Sequence, residues 1–355
     1  MNTTLPSVAI CIVTFKNEKD ISGLIESLSN TEYPKDKVHV FIADNNSEDD
    51  TARLMNEKVD KLPFSSLFNQ NKSNIGFDQA NNKLVNRAVK NDPTYIVLLN
   101  PDTVVHKKWL KELVAEMELH PEAGVAQSLL LLKSDPLKIN TKGNALYFLG
   151  LGYITGLYSS AKNVYNKQSH EIGYSSGAAS CYRVKVLKRT GLFYPDFFYL
   201  EDLDLSWRMK LLGYTSILCP KSIVWHDYTF SKGAYKMKAI ELSRYKVLLQ
   251  NYRLPTLLLL LPALIFFEIL VILGSIKEGW YKEKFKNYSE LIKSIKIIRK
   301  RREIIQKNRK TKDRTLLNSM VLTLQFPEGT PFLIRYFLNP VIVTYGWIIR
   351  SVVWW

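Results

Sequence analysis

The chain has 355 residues, 46% of them hydrophobic and 12% aromatic, and a formal net charge of +16. That composition excludes an intrinsically disordered chain and leaves room for one large domain with an appendage. Charge is uneven: residues 277–314 carry fifteen Lys and Arg against five Asp and Glu, a surplus of ten. Such a block suits an anionic membrane surface or an acidic ligand better than a nucleic acid, because its cations are interleaved with isoleucine and not with stacking aromatics. Cys11, Cys181 and Cys219 are far apart and match neither a disulfide framework nor a zinc spacing, which fits a reducing compartment. Met1-Asn2-Thr3-Thr4-Leu5-Pro6 lacks a basic n-region and a small-residue cleavage site, so the N-terminal domain is expected to face the cytosol.

Strand and helix signals alternate through the first half. The pattern predicts strands over Val8–Val13, Val38–Ala43, Ser65–Phe68 and Tyr95–Leu99. Between and after them it predicts helices over Glu18–Leu28, Thr51–Val59, Phe77–Val89 and Lys107–Leu119. Strand and helix in turn, with short links, make right-handed βαβ units and a mainly parallel α/β sheet. Beyond Gly124, Val125–Leu132, Ser176–Arg183 and Ser216–Val224 are strand-like, and residues 133–170, rich in Gly, Tyr, Asn and Ser with little period, read as a long loop or a small hairpin. Asp202–Leu212 reads as a helix stopped at Gly213.

A second kind of segment follows residue 250. Leu254–Ile276 is long and apolar enough to span a bilayer, with Glu268 its one ionisable group. Pro262 interrupts it, and a charge such as Glu268 costs roughly 2.5–3.5 kcal/mol at a bilayer centre. A single crossing would also carry the basic block away from the cytosol, against the positive-inside rule. The expectation is therefore a re-entrant or in-plane hairpin over 254–276, bent at Pro262. It is followed by a basic amphipathic helix at about 288–310 and an aromatic interfacial tail over 331–355. The alternative is that these helices pack on the soluble domain or form a homo-oligomer contact.

Acids cluster where predicted strands end, which is where open α/β sheets bind ligands. Asp102 follows the apolar run Tyr95–Leu99 through Asn100-Pro101; its plainer role is to cap the next helix. Asp44 opens Asp44-Asn45-Asn46-Ser47, where Ser47 and Asp50 form a candidate capping box that leaves Asp44 free for a ribose or a base. Thr14-Phe15-Lys16-Asn17 ends the first strand and is expected beside that loop. Gly76, after Asn74-Ile75, allows close backbone approach at a helix N-terminus suited to an anion. Glu201, Asp202 and Asp204 crowd the start of a helix, more acid than a helix dipole calls for, so one of them is a candidate general base. His226 ends Ser222-Ile223-Val224-Trp225; paired in space with Asp102 it makes a mixed N/O site for a divalent ion.

Taken together, these marks resemble the family 2 inverting glycosyltransferases, with a GT-A-type nucleotide-diphospho-sugar transferase fold, and within them the rhamnosyltransferase-like branch. The resemblance covers roughly residues 6–250. It is carried by Val13-Thr14-Phe15-Lys16-Asn17, Asp44-Asn45-Asn46-Ser47, Asn74-Ile75-Gly76-Phe77 and Leu99-Asn100-Pro101-Asp102. Ser176-Gly177-Ala178, Glu201-Asp202-Leu203-Asp204-Leu205 and Trp225-His226 complete it. It implies a donor-binding set of Thr14, Phe15, Asn17, Asp44, Asn45, Asn74, Gly76 and Asn100. Within that set Thr14 and Asp44 lie at the nucleoside, and Asn74 and Gly76 near the diphosphate. Asp102 and His226 would hold Mg2+ or Mn2+, Asp202 would be the catalytic base, and Glu201 stands beside it. Asn100 replaces the first acid of the family's acid-x-acid pattern, which weakens that metal site.

The implied reaction moves a sugar from a nucleotide-diphospho-sugar to a hydroxyl of a glycan acceptor. The basic, interfacial C-terminal region suits a polyprenyl-diphosphate-linked acceptor at the cytosolic face of the cell membrane, in contact with surface lipids. Two other readings remain open at this point: a polyprenyl-phosphate sugar synthase, and a non-catalytic adaptor that binds nucleotide-sugar or lipid.

Overall fold

The computed structural model describes residues 5–165, 167–228, 234–324, 336 and 339–355. Residues 331–335, 337 and 338 of the expected aromatic tail lie outside the described residues. The chain divides into two compact units. One comprises Met1–Asn144, Ile154–Asp196 and Tyr214–Thr229; the other comprises Ala145–Tyr153, Phe197–Gly213 and Phe230–Trp355.

The first unit opens with β1 (Val8–Thr14), α1 (Glu18–Ser29), β2 (Val38–Asp44), α2 (Thr51–Lys58), β3 (Ser65–Gln70), α3 (Phe77–Ala88) and β4 (Tyr95–Leu99). All residues of β1 and β4 are buried, as expected of apolar runs in a sheet covered on both faces. It continues with β5 (Thr103–Val105), α4 (Trp109–Leu119), β6 (Ala123–Leu132) and β7 (Ile139–Thr141). β8 (Asn144–Leu146) and β9 (Gly152–Ile154) pair with each other. After these come β10 (His170–Glu171), β11 (Ala179–Arg183) and α5 (Val184–Thr190); α6 (Glu201–Leu211), like most of β8 and β9, belongs to the second unit, and β12 (Thr215–His226) to the first.

The large sheet runs β10-β12-β6-β11-β4-β1-β2-β3, with β5 on β12 and β7 on β6. β4, β1, β2 and β3 are parallel neighbours, and β12 is parallel to β6. β11 runs antiparallel between β4 and β6. The fold is thus the mixed α/β arrangement with a mostly parallel sheet that the alternation predicts. Residues 133–170 contribute β7, the mutually paired β8 and β9, and the start of β10, which is closer to the small hairpin than to the long loop of the two expectations. These strands have two or three residues each, too short to show a hydrophobic period.

The second unit is helical: α6, then α7 (Ala234–Asn251), α8 (Leu254–Lys277), α9 (Tyr281–Asn308), α10 (Asp313–Ser319) and α11 (Asn339–Val352). The expected hairpin over 254–276 is instead one continuous helix that runs through Pro262. Proline removes one intrahelical hydrogen bond but has a helix-compatible φ, so a long apolar helix can absorb it. Among the described residues, α8 alone is long and apolar enough to cross a membrane.

Glu268 is not a lone charge on that helix. Its carboxylate accepts from the Tyr245 hydroxyl at 2.7 Å and from the Tyr288 hydroxyl, and pairs with Lys284 Nζ at 2.7 Å and Arg244 Nη2 at 3.2 Å. Lys284 and Arg244 also share Glu241, at 2.9 and 3.1 Å. This network satisfies the group that made a buried helix look costly. α9 buries Ile298 and Ile305 and leaves Ile292, Ile295 and Ile304 exposed, so part of its expected lipid face is packing surface.

A second buried acid ties α6 to α7. Asp204 accepts from Arg208 Nε at 2.7 Å, Gln250 Nε2 at 2.5 Å and Asn251 Nδ2 at 3.2 Å, and both ion-pair side chains are almost fully buried. Removing one partner of a buried pair leaves an uncompensated charge. Asp204→Ala is therefore expected to lower stability by about 3–5 kcal/mol in urea unfolding; a loss below about 1 kcal/mol, the range of a surface pair, would contradict this account.

Candidate active site

The parallel register sets Thr14 beside Asp44, and Asp44 beside Gln70, at the carboxyl ends of β1, β2 and β3. Asp44 is 0% exposed, and its carboxylate collects four hydrogen bonds. Oδ1 accepts from Thr14 Oγ1 at 2.9 Å and Ser47 Oγ at 2.6 Å; Oδ2 accepts from Ser47 N at 2.9 Å and Gln70 Nε2 at 3.3 Å. A carboxylate has about four lone-pair sites, so these donors fill them. Asp44 thus locks the loop that follows β2, where an acid free to accept from a ribose or base was expected. The capping box also fails: Ser47 turns back to Asp44, and Asp50 is the N-cap of α2 without a side-chain cap bond.

The next residues carry the cradle onward. Asn45 Nδ2 donates to Asn74 Oδ1 at 2.8 Å, while Asn45 Oδ1 accepts from Ile75 N at 3.1 Å and Asn71 Nδ2 at 3.2 Å. Asn74 Oδ1 also accepts from Gly76 N at 2.9 Å. Gly76 has φ 84° and ψ 160°, a region open essentially to glycine, and leads into the N-terminus of α3. Phe15 is exposed beside this cradle; its N–H donates to Asn17 Oδ1 at 3.0 Å, and Asn17 N donates to Thr51 Oγ1 at 2.7 Å. Lys16 and Asn46, one residue beyond Phe15 and Asn45, both have positive φ, so each strand ends in a sharp turn.

β5 and β12 bring the second group together. Their antiparallel register pairs Thr103 with His226, which places Asp102 against the histidine. His226 Nε2 lies 3.3 Å from Asp102 Oδ1, and that buried oxygen makes no hydrogen bond among the described residues. His226 Nδ1 meets Asn140 Oδ1 at 2.9 Å. Since Asn140 Oδ1 can only accept, the network assigns the proton to Nδ1 and the lone pair to Nε2, facing the carboxylate. A hard carboxylate oxygen and an imidazole lone pair that converge, with an outer hydrogen bond fixing the tautomer, fit a divalent cation completed by water and substrate oxygens. Asn100 contributes no charge; its backbone N–H donates to Ala178 O at 2.9 Å and its carbonyl accepts from Thr103 Oγ1 at 2.6 Å. No cluster of three or more His, Cys, Asp or Glu with metal-site geometry occurs among the described residues.

Two lysines border this pair. Lys19 Nζ binds Asp227 Oδ2 at 2.7 Å, and Lys133 Nζ binds the buried Asp20 at 3.1 Å. The Lys19 ammonium holds the Asp227 carboxyl below its usual range. The three cysteines are buried and free; burial pushes the Cys11 and Cys181 thiols far up and Cys219 to about 12, so none is a nucleophile or metal ligand at neutral pH.

Glu201 and Asp202 belong to the second unit and begin α6. The two residues before them, Tyr199 and Leu200, have φ of 65° and 63°. Consecutive left-handed non-glycine residues store strain, which characterises functional turns. Asp202 Oδ1 accepts from Leu203 N at 2.7 Å, and both acids are half-buried while Asp204 points inward. Phe198 and Tyr199 are exposed beside them.

The model of the family described as glycosyltransferase like family 2 matches residues 6–240. The chain belongs to that family. Poly(ribitol-phosphate) beta-N-acetylglucosaminyltransferase TarS of Staphylococcus aureus strain Mu50 is 23% identical over 195 residues, covering 53% of this chain and 29% of TarS. The chain thus spans less than a third of that relative's length. Among solved structures, S. aureus TarS 1–349 in complex with UDP has a TM-score of 0.50 at 16% identity, over 92% of this chain and 98% of its own. Mannosyltransferase PcManGT from Pyrobaculum calidifontis, in complex with GDP-Man and Mn2+, has a TM-score of 0.50 at 14% identity, over 99% and 87%. GalNAc-T7 with UDP, GalNAc and Mn2+ has 0.51 at 14% identity, over 68% and 48%. These likenesses show a GT-A-type fold.

In this family 2 chain the structure brings Thr14, Asp44, Asn45, Asn74 and Gly76 into one group and Asp102 and His226 into another. Beside them stand Gln70, Asn140, Lys19 and Lys133, which the sequence pattern does not single out. Gln70 is legible as the residue in register with Asp44 once β3 is extended by two positions; the other three carry no local motif. Gly76→Ala is expected to cost about 1–3 kcal/mol, because the backbone is glycine-specific and a Cβ would stand 3.0 Å from Asp78 Oδ1. Urea unfolding measures it, and an unchanged stability would show that the turn is not strained.

Proposed function

We propose that this chain is an inverting glycosyltransferase of the rhamnosyltransferase-like kind. It would transfer a hexosyl group from a nucleotide-diphospho-sugar to a hydroxyl of a polyprenyl-diphosphate-linked glycan, in the assembly of a cell-surface polysaccharide. The observation that carries the reading is the convergence of the Asp102 carboxylate and the His226 lone pair at the strand ends of the sheet that also holds the Asp44 cradle. The UDP bound by TarS, the GDP-Man and Mn2+ bound by PcManGT, and the UDP and Mn2+ of GalNAc-T7 support a nucleotide-sugar donor and a divalent metal.

In this reading Thr14 and the loop locked by Asp44 receive the nucleoside, with Phe15, Asn17 and Asn45 around it and Asn100 at its edge. Asn74, Gly76 and the N-terminal N–H groups of α3 face the diphosphate. Asp102 and His226 would hold Mg2+ or Mn2+, which when bound supplies positive charge to the leaving diphosphate. Asp202 takes the proton from the acceptor hydroxyl, with Glu201 beside it. The acceptor oxygen bonds to the anomeric carbon as the bond to the diphosphate oxygen breaks. The electron pair leaves with the nucleoside diphosphate, and attack from the opposite face inverts the centre. No enzyme nucleophile takes part.

We assign catalysis to residues 1–250 and attachment to the cytosolic face of the cell membrane to residues 251–355. The support is a stripe of exposed apolar side chains along α8, Leu254, Leu258, Leu261, Ile265, Ile269 and Leu273. Their spacing follows one helical face, and the surface is larger than a soluble helix ordinarily leaves bare. Asp202→Asn is expected to cut turnover by about 10²–10⁴-fold with donor affinity retained, the range of a lost general base. Turnover near the wild-type rate would favour a lipid-phosphate acceptor, which needs no base.

A further inference from the structure

At the start of α8 the second unit holds a cavity of about 650 Å³ lined by Arg253, Arg299, Arg302 and Arg309, with Leu254 and Glu303 among its other walls. Arg253 is the N-cap of α8, Arg299 and Arg302 lie on α9, and Arg309 caps its C-terminus. Two of the four are anchored. Arg309 pairs with the buried Asp313 at 2.5 Å, and Arg302 Nη1 donates at 2.6 Å to the carbonyls of Leu249 and Tyr252 at the end of α7. Arg299 touches only the exposed Glu303, at 3.3 Å, and the Arg253 guanidinium makes no hydrogen bond among the described residues. Two carboxylates thus face four guanidinium charges, leaving two positive charges uncompensated around one opening. Burial, reinforced by the neighbouring Arg309 and opposed by Asp313, lowers the Arg302 pKa, and burial likewise lowers that of Arg309, with Arg253 adding to the effect. Arg309 spends its N–H groups on Thr311 O, Gln306 Oε1 and Asp313, so the donors open to the cavity are those of Arg253 and Arg299 with the remaining N–H groups of Arg302, whose forked geometry matches a phosphate.

The cavity also marks one end of the apolar stripe. Leu254, 59% exposed, lines it, and Leu258, Leu261, Ile265, Ile269 and Leu273 continue from there along the same face of α8. We propose that this arginine cavity binds the terminal phosphate or diphosphate of a lipid whose hydrocarbon chain lies along the exposed face of α8. The inference rests on the membrane part of the proposed function and gives it a specific ligand. It also separates two roles of the basic region: Arg253 and Arg302, with the exposed Arg299 at the rim, read a terminal phosphate, whereas Lys293, Lys296 and Lys300, which do not line the cavity, answer to surface charge.

The test uses the full chain and flotation with phosphatidylcholine vesicles that contain either phosphatidic acid, which presents a terminal phosphate, or phosphatidylglycerol, which does not, matched in surface charge. The wild type is expected to bind the phosphatidic acid vesicles more tightly. Arg253→Gln combined with Arg299→Gln should weaken that binding by about tenfold or more while leaving phosphatidylglycerol binding and the thermal melt unchanged. Inorganic pyrophosphate should compete only at concentrations well above those of the lipid, because it lacks the chain. Equal binding to the two vesicle types, or a double variant that binds like the wild type, would overturn the proposal. Competition by pyrophosphate at lipid-like concentrations would overturn its lipid part and leave a soluble phosphate site. Self-association of detergent-free protein that hides α8 from vesicles would also overturn it, in favour of an oligomer contact. UDP-, dTDP- and GDP-sugar binding is measured on the same samples. Donor binding with no arginine effect sinks this inference alone, and an arginine effect with no donor binding sinks the transferase reading alone.

Discussion

The site depends on one register. Parallel pairing aligns Thr14, Asp44 and Gln70 across β1, β2 and β3, and a carboxylate with 0% exposure then binds all three strand ends and the Ser47 loop. A one-residue slip of β2 would turn Asp44 to the other face and leave a buried charge without donors. The Asn45–Asn74–Gly76 cradle hangs from the same loop, so its shape follows from the Asp44 bonds. On the same sheet, β5 and β12 set Asp102 against His226 by a second register, and Asn140 fixes the histidine proton. A rigid sheet therefore carries the polar groups, and the loops after its strands are held by side-chain hydrogen bonds rather than left mobile.

The helical unit follows a different rule. Beside the solvated charges of α9, it holds charge of two special kinds, one buried in closed networks and one concentrated at an opening. Glu268, Glu241, Arg244, Lys284, Tyr245 and Tyr288 satisfy one another, and so do Asp204, Arg208, Gln250 and Asn251. A carboxylate inside an apolar helix is then a packing element toward its neighbours and no obstacle to an apolar outer face. The arginines around Arg253 are the exception, with more positive charge than their carboxylates neutralise. Networks of the first kind are closed by their own partners; the cluster of the second kind has donors left over.

Much of the first unit is legible in the sequence because its elements are long and periodic. Val8–Thr14 and Tyr95–Leu99 are continuous apolar runs, and the positions where they stop are enough to locate the candidate ligand groups. Contact between distant short elements is not legible in the same way. Asn140 sits on a three-residue strand with no period, and its role exists only because β7 pairs with β6. Asp44 looks free in the sequence because the local capping pattern of Ser47 and Asp50 satisfies a simpler rule; its four hydrogen bonds come in part from strands far apart in the chain. Pro262 carries the local signature of a helix break, yet its φ suits a helix and α8 runs through it while touching α9 and α11. Glu268 looks expensive for the same reason: its partners on α7 and α9 are invisible to a window of sequence.

The proposed donor site joins the two groups on the sheet through a divalent metal. Its most direct test is calorimetric titration of the full chain with UDP-, dTDP- and GDP-sugars, each with and without Mn2+, repeated on Asp102→Ala. One nucleotide class should bind the wild type, Mn2+ should tighten that binding, and the variant should bind the same nucleotide with its Mn2+ response removed. Folded wild-type protein that binds none of the donors, or a Mn2+ response that survives in Asp102→Ala, would contradict it.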